Sequence, residues 1–235
     1  MWAAVFGAAV LRSFTGFGFA LVAVPVLALF LPPMQVVVLT ASLALCISLL
    51  GWKTIARHTD WRQMLPLLIA AGVGTALGVL ILPSIPADLF QVFVGISVLV
   101  ACIGIAVRPP AHPLRWRPLP WFSGLVSGVM NGALAIPGPP MIIYAMVTEL
   151  DPRRSRALLM AFFLASSTLA LASYTIAGIA RWQSLMLVAL AFPALFLGDK
   201  LGNVLFHRYG NDLYRKVSLV MLVLLGVSIT LRGLW

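Results

Sequence analysis

Charged residues are scarce in this sequence: Asp, Glu, Lys and Arg together make up 9% of it, and only six residues are acidic. A soluble domain carries about a quarter charged residues, so this composition excludes a soluble globular fold. Hydrophobic residues make up 62% of the chain. Apolar runs of about 20 residues, each long enough to cross a bilayer, recur along its whole length. The sequence therefore predicts an all-α polytopic membrane protein.

Cysteine and histidine are also scarce, with two and three residues respectively. Cys46 and Cys102 both lie in apolar runs, where a small buried residue is the simpler interpretation, so a disulfide framework has no support. His58, His112 and His207 fall in loops that are far apart in sequence. The apolar runs hold no histidine and a single carboxylate well inside them. We therefore predict no metal, no cofactor and no catalytic residue, and an intramembrane enzyme is the weakest of the functional interpretations.

The net charge of +10 has a topological interpretation. In a soluble protein such a charge would suggest a nucleic-acid partner. Here the basic residues sit almost wholly in short loops between apolar runs, where they set orientation in the membrane. We predict no nucleic-acid partner. The start of the chain lacks a basic region before its first apolar run and lacks a small-residue cleavage site, so we also expect no removable signal peptide.

Eight apolar segments are separated by charged or proline-rich breaks. Their approximate bounds are 2–31, 35–52, 63–82, 89–107, 119–148, 157–178, 183–206 and 213–231. We interpret the chain, 1–235, as a single membrane domain. It consists of repeat one at 1–108, a basic connector at 109–118 and repeat two at 119–235.

The two halves share several features in the same order. Segments one and five are both about 30 residues long, and each contains a glycine- or proline-rich break. The other matches are Pro33 with Pro152, Trp61 with Trp182, and the pair Gly74 and Gly78 with the pair Gly198 and Gly202. Internal repeats of this kind are typical of secondary transporters. The Gly-xxx-Gly pairs themselves predict close helix packing.

The loop charges favour an inverted arrangement of the repeats. If all eight segments were simple spans, Lys and Arg in the loops would divide eight to six between the two sides. If segments one and five are re-entrant hairpins, they divide twelve to two, as the positive-inside rule expects. Each repeat is then a hairpin plus three transmembrane helices. The basic loops would be cytoplasmic and both termini extracytoplasmic, although a tilted, broken single span stays open as the alternative.

The two breaks are the predicted substrate site, because irregular backbone within a membrane survives only inside protein or beside a wet cavity. A helix that restarts after a break presents free N–H groups and a positive dipole end, which suit an anion. The hydroxyls and the amide of the breaks add neutral hydrogen-bond donors, and Pro139 and Pro140 suit a first helical turn. The predicted substrate-binding residues are Arg12, Ser13, Thr15, Gly16, Phe17, Gly18, Asn131, Gly132, Pro137, Gly138, Pro139 and Pro140.

Three features outside the glycines and prolines of the breaks have two interpretations each. Arg12 lies inside an apolar run, which makes it either a functional residue or one that reaches an interface. Asp199, beside Lys200, is either a proton-coupling carboxylate or part of a structural ion pair. The hydroxyls of 166–168 either line a cavity or bond their own helix.

These residues resemble the sulfite exporter TauE/SafE family, also called the 4-toluene sulfonate uptake permease family, over essentially the whole chain. Its members have two related halves, each opening with a glycine-rich stretch before a proline. Here those stretches are "TGFGFALVAVP" and "NGALAIPGPPMIIY", with the family's glycine triplet reduced in both. The resemblance implies a permease for sulfite, sulfonates or related anions in a bacterial inner membrane. It leaves the direction of transport open, since the family includes exporters and uptake permeases.

We therefore expect a secondary transporter whose partners are a small anion and the lipid bilayer. A re-entrant-loop anion channel and a carrier for carboxylates without sulfur are the alternatives. The sequence also leaves open whether the chain forms a homodimer.

Overall fold

The computed structural model describes residues 2–15, 18–50, 61–106, 112–114, 116–180, 182–209, 223 and 226–230. Within these ranges the fold is all-α and contains no strand, which confirms the predicted class. The helices are α1 (Trp2–Thr15), α2 (Phe19–Leu27), α3 (Pro33–Leu50), α4 (Trp61–Ile81), α5 (Ala87–Ala106), α6 (Leu119–Leu134), α7 (Gly138–Thr148), α8 (Pro152–Ile176) and α9 (Trp182–Tyr209). A short 3₁₀ turn, Leu82–Ser84, follows α4, and residues 226–230 are also helical.

Both long apolar segments are divided into two helices at the predicted breaks. Gly18, which precedes α2, has φ 99, a left-handed conformation that glycine adopts without steric cost. Ala135 ends α6 with φ 55, which is costly for a residue with a Cβ. Pro139 and Pro140 lie in the first turn of α7, where their missing N–H groups need no helical partner.

The divided helices are too short to cross a membrane individually. α1 and α2 contain 14 and 9 residues, and α6 and α7 contain 16 and 11. At 1.5 Å per residue the longest of them reaches about 24 Å, against a hydrocarbon core of about 30 Å. All four therefore end within the depth of a bilayer.

Four of the described helical stretches are long and apolar enough to cross a membrane by length and composition: Pro33–Leu50, Met64–Ser84, Ala87–Gly104 and Arg154–Ile176. Large apolar side chains on the outer face of α4, among them Leu65, Ile69 and Val73, are about half exposed. In a water-soluble protein such a stripe would be a liability, whereas lipid covers it at no cost. The chain is thus a multi-pass membrane protein.

Several helices begin before the apolar runs that predicted them. α8 starts at Pro152 rather than near residue 157, and α4 starts at Trp61 rather than near residue 63. Helical hydrogen bonds extend into the polar residues that precede each apolar run. Hydrophobicity alone therefore places the start of the helix too late. The eighth predicted segment, 213–231, lies outside the described residues except for 223 and 226–230.

The glycine pairs bring helices of the two halves of the chain into direct backbone contact. A Cβ added at Gly74 or Gly78 would collide with backbone atoms of α6. A Cβ at Gly198 or Gly202 would lie 2.6 Å from the Phe6 or Val10 carbonyl oxygen of α1, respectively. The prediction of close helix packing at both pairs is confirmed.

These glycine contacts join each divided segment to a helix from the other half of the chain. The α4–α6 and α1–α9 pairs are the most extensive contacts in the fold. Between them, α3 packs against α8 and α9, and α4 packs against α8. The ends of the short helices are consequently enclosed by protein.

Gly74→Ala should destabilise the protein by about 1–3 kcal/mol, because an added Cβ forces α4 and α6 apart. Its matched control is Gly72→Ala on the same helix, where a Cβ would meet nothing within 4 Å and alanine improves helix propensity. Thermal unfolding in detergent would measure both variants. Equal melting temperatures for the two variants would contradict the packing argument.

Candidate functional site

A small cavity lies where the two divided segments meet. Its volume is about 40 Å³, on a measure by which one water molecule needs about 10–15 Å³. The first turn of α2, the middle of α3, the α6–α7 break and the middle of α8 enclose it. Its lining residues are Arg12, Gly18, Phe19, Ala20, Leu21, Ala41, Ala44, Ser48, Asn131, Ala135, Ile136, Pro137, Gly138, Phe163, Ser166 and Ser167.

The cavity holds the N-terminal ends of two helices. Gly18 and Phe19 bring the start of α2 to it, and Pro137 and Gly138 bring the start of α7. The N–H groups of a first helical turn have no partner within the helix. α7 offers fewer of them, because Pro139 and Pro140 have no N–H to donate. The backbone donors at the cavity therefore come mainly from α2.

Arg12 supplies the positive charge of the cavity. Its side chain is only 6% exposed, and Nη2 donates a hydrogen bond to Ser48 Oγ at 2.7 Å. Ser48 in turn donates to the Ala44 carbonyl oxygen of its own helix at 2.6 Å. Of the two sequence interpretations, the geometry is that of an arginine enclosed in protein at a cavity, rather than one extended to a surface.

Asn131, in the last turn of α6, has two hydrogen-bond contacts with α8. Its Nδ2 donates to the Ser166 carbonyl oxygen at 2.8 Å. The hydroxyl of Tyr174, a fully buried side chain, lies 2.9 Å from the Asn131 carbonyl oxygen and 3.0 Å from that of Gly132. Both carbonyls belong to the last turn of α6, where the Asn131 oxygen also accepts from the Ala135 N–H at 2.8 Å. Tyr174 thus closes the polar end of α6 inside the membrane.

The hydroxyls of α8 have both of the roles that their sequence suggested. Ser166 and Ser167 line the cavity, and Ser167 Oγ also lies 2.7 Å from the Phe163 carbonyl oxygen of its own helix. Thr168, the next residue, is on the exposed side and bonds the Leu164 carbonyl oxygen at 2.9 Å. Two of the three hydroxyls therefore face the cavity, and all three have a partner on their own helix.

The structure brings five of the predicted site residues to the cavity: Arg12, Gly18, Asn131, Pro137 and Gly138. Gly132 instead packs against the Thr75 carbonyl of α4, and Pro139 and Pro140 lie behind the cavity in α7. Gly16 and Phe17 lie outside the described residues, as does the side chain of Thr15.

Ser13 and Asp199 form a second polar centre directly behind Arg12. The Ser13 hydroxyl, which is also 3.0 Å from the Ala9 carbonyl oxygen, donates to Asp199 Oδ1. Nη2 of Arg156 donates to the Ser13 carbonyl oxygen at 3.2 Å. Lys200 points away, with Nζ 5.6 Å from the Phe196 ring centroid. Asp199 therefore faces α1 and its neighbour Lys200 faces outward.

Sequence reasoning missed several residues of these two centres. Ser48 and Phe163 lie in uninterrupted apolar stretches, and nothing in their surroundings marks them. Arg156 has the pattern of a helix start with a topology charge, and it does lie in the first turns of α8, but its contact with α1 has no signal in the sequence. Only their distances from Arg12 or Ser13, which depend on tertiary packing, identify them.

The fold and the cavity define a multi-pass helical membrane protein with a small, largely apolar cavity at interrupted helices, into which Arg12 and a few other polar side chains project. Interrupted helices at a site are found in many transporters. The family described as "Sulfite exporter TauE/SafE" matches residues 1–229, and the chain belongs to that family. It is accordingly a membrane transporter and not an enzyme. A protein of Cupriavidus necator named "Probable sulfite/organosulfonate exporter TauE" is 26% identical over 229 residues, covering 95% of this chain and 90% of that protein. No solved structure matches the chain.

Proposed function

We propose that this transporter is a secondary permease that moves small anions, sulfite, sulfonates or related sulfur-containing organic anions, across a bacterial inner membrane. The observation that carries the proposal is Arg12, a buried guanidinium at a cavity that also contains the N-terminal end of α2. A buried charge is costly unless it is paired. The hydrogen-bond partner of Arg12 is a neutral hydroxyl, and the carboxylate that interacts with it electrostatically, Asp199, accepts a hydrogen bond from Ser13. An anion in the cavity would pair with the guanidinium directly.

The remaining lining suits a small anion with an apolar part. The hydroxyl of Ser48 is bonded to Arg12, and the lining also contains the hydroxyls of Ser166 and Ser167. Phe19, Leu21 and Phe163 form an apolar wall. A sulfonate group has three oxygens that accept hydrogen bonds, and its carbon substituent fits an apolar surface. The name of the Cupriavidus necator relative, which includes both sulfite and organosulfonates, supports this choice over carboxylates without sulfur.

We also propose that the domain consists of two inverted repeats, 1–108 and 119–235, joined by the connector 109–118. The twelve-to-two division of loop charges supports this topology. So does the shortness of α1, α2, α6 and α7, which suits re-entrant hairpins. The reciprocal α4–α6 and α1–α9 packing, through matching glycine pairs, adds a third argument. The basic loops are then cytoplasmic and both termini extracytoplasmic.

Asp199 is our proposed proton-coupling residue. It accepts a hydrogen bond from Ser13, the residue next to Arg12, and it interacts electrostatically with Arg12. Arg156 of α8 and Lys200 of its own helix are the other charged groups around this part of α1 and α9. A proton taken up by Asp199 would change the field at Arg12 and thereby couple proton and anion binding.

Removing the guanidinium should abolish anion recognition. We expect Arg12→Gln to lower sulfite or sulfonate flux into proteoliposomes at least about tenfold, since hydrogen bonds to charged groups contribute about 1.5–3 kcal/mol. Asn131→Ala should weaken flux as well, because it frees the α6–α7 break from α8. Lys200→Gln is the control, as it removes one positive charge from an exposed side chain. Unchanged flux in both Arg12→Gln and Asn131→Ala would place the site elsewhere.

A topology measurement tests the hairpins. Met34, in the first turn of α3, is 41% exposed. With Cys46 and Cys102 replaced by serine, Met34→Cys should react with an impermeant maleimide from the same side of the membrane as a cysteine at the N-terminus. Reaction from opposite sides would mean that α1 and α2 together form one broken span.

Asp199→Asn should flatten the pH dependence of flux while leaving transport measurable. The amide keeps an oxygen that accepts a hydrogen bond from Ser13 but cannot take up the proton. Initial rates between about pH 5 and 8 in proteoliposomes would measure this. A pH profile identical to that of the unmodified protein would make Asp199 a structural residue only.

A further inference from the structure

Arg156 and Asp199 hold the same residue of α1 from two different helices. Arg156, on α8, donates to the Ser13 carbonyl oxygen at 3.2 Å. Asp199, on α9, accepts from the Ser13 hydroxyl. We call these three residues the α1 latch. Both of its outer members belong to the second half of the chain, whereas α1 belongs to the first.

The latch lies immediately behind the cavity. Ser13 follows Arg12, whose guanidinium lines the cavity and bonds Ser48 at 2.7 Å. Ser48 is near the C-terminal end of α3, and Arg156 is near the N-terminal end of α8. Because both side chains reach consecutive residues of α1, these two helix ends lie at a similar depth. The latch therefore lies next to the cavity on the side of these ends.

The geometry explains why charged groups suit this position. The Ser13 carbonyl is in the last turn of α1, which leaves its carbonyls without complete helical partners and has a negative dipole end. A guanidinium complements both features. On the opposite side of α1, Gly202 brings α9 so close that a Cβ there would lie 2.8 Å from Ser13 Cβ. This approach places Asp199 beside the Ser13 hydroxyl.

We infer that Arg156 and Asp199 are positioning residues of the transport cycle, which hold Arg12 at the cavity and must release Ser13 before the cavity opens toward the C-terminal end of α3. The inference rests on the proposed carrier function. It adds to that function the place where the cavity closes. It also assigns Arg156 a role different from that of Arg154. Arg154 lies two residues earlier on the same helix, is 72% exposed and pairs with Asp151 at 3.8 Å.

The charges of this region connect the latch to the anion. Arg12 and Arg156 carry two positive charges and Asp199 carries one negative charge. One singly charged anion beside Arg12 would balance the sum. Moving a balanced group of charges through a low-dielectric interior is easier than moving an unbalanced one. A loaded cavity would therefore release the latch more readily than an empty one.

Cysteine labelling in the absence of any anion substrate tests the latch. The reporter is Ser167→Cys, in the cavity lining, in a protein with Cys46→Ser and with buried Cys102 retained as an internal reference. Arg156→Gln and Asp199→Ala, which removes the acceptor of the Ser13 hydroxyl, are made in this protein, with Arg154→Gln as the matched control. The rate of reaction with N-ethylmaleimide in lipid nanodiscs is followed by mass spectrometry at each cysteine.

We expect Arg156→Gln and Asp199→Ala each to raise the labelling rate at position 167 by about tenfold, as loss of one charged hydrogen bond would shift an opening equilibrium. Labelling at Cys102 should not change, and Arg154→Gln should label like its parent. Equal acceleration at both cysteines would indicate general loosening and overturn the inference, and so would no acceleration at position 167. Because no anion is present, the result is independent of whether sulfite or sulfonate flux is found.

Discussion

Inside a hydrocarbon medium every backbone polar group needs a hydrogen-bond partner. This requirement constrains the structure more than any other interaction. Two long segments break within the depth of the membrane, and each break exposes carbonyl and N–H groups that lipid cannot satisfy. Protein satisfies them instead. Tyr174 reaches the last carbonyls of α6, Ser127 donates to the Pro137 carbonyl, and Arg156 donates to a carbonyl of α1. The breaks are thus possible only because other helices surround them.

The glycine pairs make that enclosure possible. Gly74 and Gly78 let the backbone of α4 approach α6, and Gly198 and Gly202 do the same for α9 and α1. In a membrane, helix association gains little from the hydrophobic effect and depends on close packing. Each broken segment is therefore supported by a continuous helix from the other half of the chain. The cavity is the space left where the supported breaks meet, which connects helix packing directly to the site.

The site itself is asymmetric, although each half of the chain contributes one break to it. Arg12 and the free N–H groups of α2 make one side of the cavity positive. The corresponding Asn131 is neutral and fixed by Ser166, and the prolines remove donors from α7. An anion in such a cavity is held mainly by the first half of the chain. Arg156 and Asp199 of the second half hold Ser13 of α1, so that the two halves would have different tasks in the cycle that we propose.

The sequence alone determined the all-α membrane class, the positions of the breaks, the close packing at both glycine pairs and the resemblance to the TauE/SafE family. These features depend on composition, on residues that restrict the backbone, and on spacing along one helix, all of which are local. The contact of Ser48 with Arg12, the hydrogen bond from Arg156 of α8 to α1, and the contact of Tyr174 with α6 follow only from the tertiary structure. Those contacts join residues between 36 and 143 positions apart. No local pattern encodes them, because each depends on how glycine-mediated packing sets the depth and rotation of one helix against another.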